Sequence, residues 1–269
     1  NLIDLRGWRY PASLFALLIL VLLVVLPLLT LFVVSIMPFY QTPGWNLLQT
    51  ATARHYIGMY QDDRIFRAFQ NSLFLAVVGA TLCILFAAVI SYLTVKTRII
   101  GRGLLESLAF IPWAFPGAAL AIGILWAYIR FPIPVYATVW ILMIAYVTRF
   151  LPYGLRSVGS TIVQIHPDLE EASAVCGAGL LATLRRILLP LLRPGMVAGW
   201  VILATFFVRE FSCSIFLYSP GAEPLGPLLY FYYQEGSFGA MAGVGVLITL
   251  LSVLLVIGAR AFTRTEIAG

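Results

Sequence analysis

The 269-residue sequence predicts an all-α membrane protein with six transmembrane helices. Three observations carry that prediction. First, 61% of the residues are hydrophobic and 10% are charged, with a mean hydropathy of +0.98, whereas a soluble domain is about 25% charged. Second, the charges punctuate apolar runs of about 20 residues, the length a helix needs to cross hydrocarbon. Third, these runs lack the period-2 alternation of barrel strands, and lipid admits only helices or closed barrels. The composition excludes an ordinary soluble enzyme, a disordered chain and a nucleic-acid-binding domain. The net charge of +6 is read as topology, because membrane proteins keep their basic excess on the cytoplasmic side.

In chain order the spans fall at about 12–37, 69–95, 107–129, 132–150, 195–217 and 238–260 of a single transmembrane domain covering 1–269. The first is Leu/Val-rich. The third is interrupted by Pro112, Pro116 and Gly117, which allow either a hinge or a static kink. The fourth opens with Pro132 and Pro134, and the fifth contains Arg209 and Glu210. With the N-terminus cytoplasmic, the inner segments hold eleven Lys/Arg residues and the outer segments four, which favours that orientation. Between the first two spans, 41–70 reads as a long external loop whose 56–69 part suits an amphipathic surface helix. Residues 221–226, flanked by Pro220 and Pro227, read as turns.

Cys83, Cys176 and Cys213 are odd in number and widely spaced, so neither a disulfide framework nor a zinc site is expected. All three are expected as small buried apolar residues. His55 and His166 stand far apart, so no metal site and no catalytic group is assigned. Lys96 is the only lysine, against sixteen arginines. A P-loop requires G-x-x-x-x-G-K-[ST], and Lys96 lies in Leu-Thr-Val-Lys-Thr-Arg, so the chain carries no P-loop.

The loop at 158–193, between spans four and five, is too polar to span and too patterned to be disordered. Pro167 fits the first turn of a helix. Asp168, Glu170 and Glu171 crowd the end where the helix dipole favours acids. Leu169, Ala172 and Cys176 share a face. Gly177 and Gly179 break that helix, Ala178 lies in the turn, and a second short helix runs from Leu180 and Leu181 past Arg185 and Arg186 to Pro190.

The order Glu171-Ala172-Ser173, three residues, Gly177, nine residues, Ile187-Leu188-Leu189-Pro190 resembles the EAA motif of ABC importer permeases of the MetI-like superfamily. Every spacing is met, with Ser173 in place of the second alanine. The resemblance implies coupling helices that dock on a separate ATPase dimer through Asp168, Glu170, Glu171, Ala172, Ser173, Cys176, Gly177, Ala178, Leu180 and Leu181. ATP and magnesium would then sit on that partner, with no cofactor in this chain. It also implies a second permease half, a periplasmic substrate-binding protein, and residence in a bacterial inner membrane. Segments 64–73, 149–156 and 209–221 further resemble iron(III)-type permeases, and ferric iron is the expected cargo. Related permeases for thiamine, phosphonates, sulfate or molybdate, sugar phosphates and polyamines share much of this pattern. Iron-type members are often fusions of two halves. Asn1 in place of Met and the single EAA loop make this chain resemble one half of a fusion, the C-terminal one, the alternative being a half that dimerises. An autonomous channel or ion-coupled carrier is the reading from another class.

Ionisable groups at membrane depth mark functional sites by default. Arg209 and Glu210 project about 100° apart on a straight helix, so each is expected to find a partner elsewhere. Two roles stand open for them: lining the translocation path or its gate, or forming a structural polar network. Ser212 and Ser214 lie within a turn of the pair and either offer hydroxyls to the path or bond backbone carbonyls. Arg149, near the inner end of the fourth expected span, is read as snorkelling to lipid phosphate.

Overall fold

The computed structural model describes residues 6–39, 50–130 and 133–267. Among them every regular element is helical, with no strand. We number the helices α1 Arg9–Ile36, α2 Arg54–Gln61, α3 Asp63–Lys96, α4 Arg102–Phe110, α5 Gly117–Ile129, α6 Val139–Ile162, α7 Asp168–Val175, α8 Leu180–Val208, α9 Ser214–Leu217, α10 Leu225–Gln234 and α11 Phe238–Ile267. Four of these are long and apolar enough to cross a membrane: α1, α3, α8 and α11. A fifth follows if α4 and α5 are counted as one bent span.

The described chain divides into two compact units, 1–62 with 229–247, and 63–228 with 248–269. In the first unit, α1 leaves its apolar surface exposed along most of its length. Its C-terminal end meets α2 through a Ser35–Tyr56 hydroxyl pair at 2.6 Å and through His55 Nε2, 2.9 Å from the Met37 carbonyl. The expected surface helix at 56–69 is in fact two helices. α2 ends at Gln61, Asp62 is extended, and Asp63 starts the long α3. An aspartate in the first turn and Lys96 in the last both suit the dipole of that helix. The remainder of the expected external loop, at 40–49, lies outside the described residues, as does Pro132.

The second unit is organised around α6. Thr138 caps it, its hydroxyl accepting the Trp140 N–H at 3.2 Å. One side of α6 meets α3, where a Cβ built on Gly154 would lie 3.0 Å from the Ala87 Cβ. The other side meets α8 through small residues. Gly195 and Gly199 form a G-x-x-x-G face against Ser157 and Thr161 of α6, and the Ser157 hydroxyl donates to the Gly195 carbonyl at 2.9 Å. Small residues let two membrane helices approach closely enough for dispersion to hold them. Toward the other end, Tyr146 and Phe150 of α6 pack on Phe207 of α8, with ring centroids 5.3 and 5.5 Å apart.

Four sequence expectations shift. The third span is bent by 112° between Arg102–Ala114 and Gly117–Ile129. Phe115 and Pro116 are extended there, because a proline excludes the α conformation from the residue before it. The fourth helix runs 139–162 rather than 132–150, since residues 133–138 form turns ahead of the Thr138 cap. The fifth does not continue to 217: α8 ends at Val208, and a turn separates it from α9. Finally, Pro190 does not end the second loop helix. A π-turn at Leu184–Leu188 precedes it, with the Leu189 N–H reaching the Leu184 carbonyl. Widening that turn relieves the clash a proline ring has with the carbonyl four residues back, and the helix runs on to Val208.

Candidate functional site

Two assemblies in the second unit hold the residues singled out by the sequence. The first is the turn between α7 and α8. α7 closes in a Schellman motif: Ala178 N–H bonds the Ser173 carbonyl at 3.0 Å and Gly177 N–H bonds the Ala174 carbonyl at 2.9 Å. Gly177 has φ +78°, a left-handed conformation that glycine alone adopts without penalty. A Cβ there would meet nothing within 4 Å, so the demand for glycine comes from the backbone.

The Ser173 hydroxyl is 2.8 Å from Thr183 Oγ1, and both residues are buried. This bond clasps α7 to α8, and an alanine at 173 would lack it. Ser173 therefore faces the inside of the turn rather than a partner. Outward, the turn presents Val175 at 88% exposure, Leu181 at 79%, and also Leu180 and Leu169. Asp168, Glu171, Ala172, Cys176 and Gly177 are exposed, and Ala178 is half-buried. Cys176 thus departs from the expectation of three buried cysteines: as the C-cap of α7 it lies where no neighbouring helix covers it. Glu170 is turned sideways, its carboxylate 2.8 Å from Lys96 Nζ.

The second assembly surrounds Glu210, which is 6% exposed just beyond the end of α8. Its Oε1 accepts from Arg149 Nη1 at 2.6 Å and from the Cys213 N–H at 2.6 Å. Arg149 also donates to Cys213 Sγ at 3.6 Å, and that thiol donates to the Gly117 carbonyl at 3.2 Å. The guanidinium lies over Gly117, where a side chain would collide with it. Ser214 is buried and bonds both the Glu210 carbonyl at 3.0 Å and the Tyr146 hydroxyl. Four segments therefore converge: the α4–α5 bend, the middle of α6, the break after α8, and α9. Tyr146, Gly117, Cys213 and above all Arg149 were missed as members of this cluster.

Arg149 is the correction of most consequence. It does not snorkel, because the true start of α6 at Val139 places it near mid-helix, facing Glu210. Arg209 is exposed and Ser212 half-buried, so the structure brings Glu210 and Ser214 together and leaves Arg209 outside the cluster. Among the described residues no group of three or more His, Cys, Asp or Glu could hold a metal ion.

Residues 79–266 match the family described as "Binding-protein-dependent transport system inner membrane component". The chain belongs to this family. The match spans both the Gly177 turn and the Arg149–Glu210 pair. Among relatives of this permease, the spermidine/putrescine transport system permease protein PotC of Escherichia coli (strain K12) is 26% identical over 82% of this chain and 83% of its own length. The ferric transport system permease protein FbpB of Actinobacillus pleuropneumoniae is also 26% identical, over 80% of this chain but 32% of its own length. In fold, the permease is similar to a chain of a bacterial alginate ABC transporter in complex with an alginate pentasaccharide-bound periplasmic protein. The TM-score is 0.71 at 19% identity, covering 97% of this chain and 96% of that one.

Proposed function

We propose that this chain is the membrane permease subunit of an ABC importer, with six spans and a cytoplasmic N-terminus. A second permease half completes the pore, an ATPase dimer drives it, and a periplasmic binding protein delivers the cargo. The observation that carries this reading is the Gly177 turn. A rigid Schellman cap on the EAA spacing presents Val175, Leu180 and Leu181 to the outside, where burial against a partner stabilises by about 25 cal/mol per Å² of apolar area. Asp168 and Glu171 flank this knob and orient it. The motor is assigned to the partner, since no P-loop lysine is available here.

The mechanism follows from how the turn is attached. α7 connects directly to α6, and α8 runs unbroken from Leu180 to Val208. Displacing the turn therefore levers two packed helices, α6 carrying Arg149 at its middle and α8 leading at its far end into Glu210. We assign that pair to the gate of the translocation path, with Ser212, Ser214 and the exposed Arg209 beside it. Opening would part the 2.6 Å ion pair, and closure would remake it. A structural network alone also satisfies the geometry, but the pair lies between the α4–α5 bend and the break after α8, which favours a moving element.

For the cargo we propose ferric iron, on the resemblance of 64–73, 149–156 and 209–221 to iron(III)-type permeases and the likeness to FbpB. Polyamine is the second reading, favoured by the likeness to PotC over most of its length. Proteoliposomes holding the complete transporter, supplied with ATP and with binding protein loaded with radiolabelled ferric ion or spermidine, separate the two. Accumulation of iron alone is the expected result. Accumulation of spermidine alone assigns the second reading, and uptake of either without ATP overturns the importer reading.

A further inference from the structure

Lys96 is the single lysine of the sequence, and it is not at the surface. Its side chain is 8% exposed, and Nζ lies 2.8 Å from Glu170 Oε1 while donating at 2.8 Å to the Ile165 carbonyl. Three stretches meet at this ammonium. Lys96 is the last residue of α3, Ile165 lies in the turn after α6, and Glu170 lies in the first turn of α7. A cation at the end of one helix and an anion at the start of another each sit where their own helix dipole favours them. The pair therefore joins two complementary helix ends.

The chain itself already ties α7 to α6, through 163–167, and to α8, through the Gly177 turn. It provides no such tie to α3, which left the same region at Lys96. An ammonium this little exposed has lost most of its hydration, and ion pairing together with a carbonyl acceptor is what compensates it. Removing the lysine leaves the Ile165 carbonyl and the Glu170 carboxylate to be solvated separately.

We propose that Lys96 is a positioning residue, a strut that fixes the docking turn to α3 so that movement of the turn reaches that helix as well as α6 and α8. Its role in coupling rests on the importer reading above, but its existence as a strut does not. Two measurements therefore accompany each other. The first is hydrogen exchange on the purified full chain. In Lys96→Met the amides of 168–176 exchange at least tenfold faster, while those of 139–162 keep their rates. Unchanged exchange in 168–176 overturns the strut. Acceleration throughout α6 as well overturns it too, because that marks a general loss of fold.

The second is ATP hydrolysis by the complete transporter in proteoliposomes, with and without binding protein loaded with ferric ion or spermidine. Lys96→Met keeps unstimulated hydrolysis within twofold but lowers the stimulation at least tenfold. Lys96→Arg, which still reaches two acceptors, keeps stimulation within threefold. The exchange of charges in K96E/E170K recovers at least a third of it, a rescue that mere destabilisation would not give. Stimulation within twofold of the unmodified protein in Lys96→Met overturns the coupling role. If the unmodified chain recruits no ATPase, the importer reading fails, and hydrogen exchange still decides the strut.

Discussion

Glu210 is a buried carboxylate held by one guanidinium and one backbone N–H. Breaking such a pair from one side leaves an uncompensated charge and costs roughly 3–5 kcal/mol, whereas neutralising both sides is far milder. Arg149→Met is therefore expected to lower thermal stability in detergent more than Arg149→Met combined with Glu210→Gln, and a double-mutant cycle on the melting curves checks it. Equal, additive losses would mean that the two groups are not coupled. The sequence flagged Glu210 by its cost at membrane depth, and the structure supplies its partner on another helix. It could not flag Arg149, 61 positions away, because the choice between snorkelling and pairing turned on where α6 begins. Residues 133–138 look apolar enough to be helix, but they form turns, with Ala137 at a left-handed φ of +59°, ahead of the Thr138 cap. The opposite case is Gly177, whose left-handed φ of +78° was legible as a glycine break between two patterned runs. Lys96 was legible only by elimination, as a residue that cannot serve a P-loop; its contact with Glu170 joins positions far apart in the chain.

At the scale of elements, α6 and α8 are held by close approach. A side chain on Gly195 would occupy the place of Thr161 Oγ1, and one on Gly199 would lie 2.8 Å from Ser157 Oγ. Overpacking ordinarily costs about 1–3 kcal/mol, and here the obstruction is between the two helices on either side of α7. Gly195→Leu is expected to reduce the yield of folded protein in detergent severalfold, read by size-exclusion chromatography, while Gly258→Leu, which meets nothing within 4 Å, leaves it unchanged. Helix ends were the least legible feature of the sequence. Hydropathy marks where lipid is tolerated, and apolar residues resume at 214–217 after Arg209 and Glu210, so the run reads as one interrupted span although the backbone turns at Arg209. Pro190 reads as a helix end between apolar residues, yet the backbone continues there because the π-turn absorbs the proline. Proline bends the third span and spares the fifth, and the difference is the extended pair Phe115–Pro116 against a widened turn.

For the whole molecule, the family and its all-helical architecture were legible from composition and from one 20-residue spacing. The count of spans was less so. α6 lies at the centre of its unit and buries eleven of its residues, yet Arg149 and Arg156 keep it from qualifying as a span on apolarity. A helix shielded by its neighbours has no need to look lipid-soluble. We read it as the sixth span, and the docking turn attached to its end as the point where chemical work enters. The most direct test of that claim is ATP-dependent uptake by the reconstituted transporter with the unmodified chain and with Gly177→Trp. A tryptophan at a φ of +78° costs roughly 1–2 kcal/mol of backbone strain and obstructs the docking face without touching the Arg149–Glu210 pair. Entry of chemical work at this turn predicts that the variant inserts and purifies normally but loses at least nine-tenths of uptake together with ATPase binding. Undiminished uptake and ATPase binding in Gly177→Trp would contradict it.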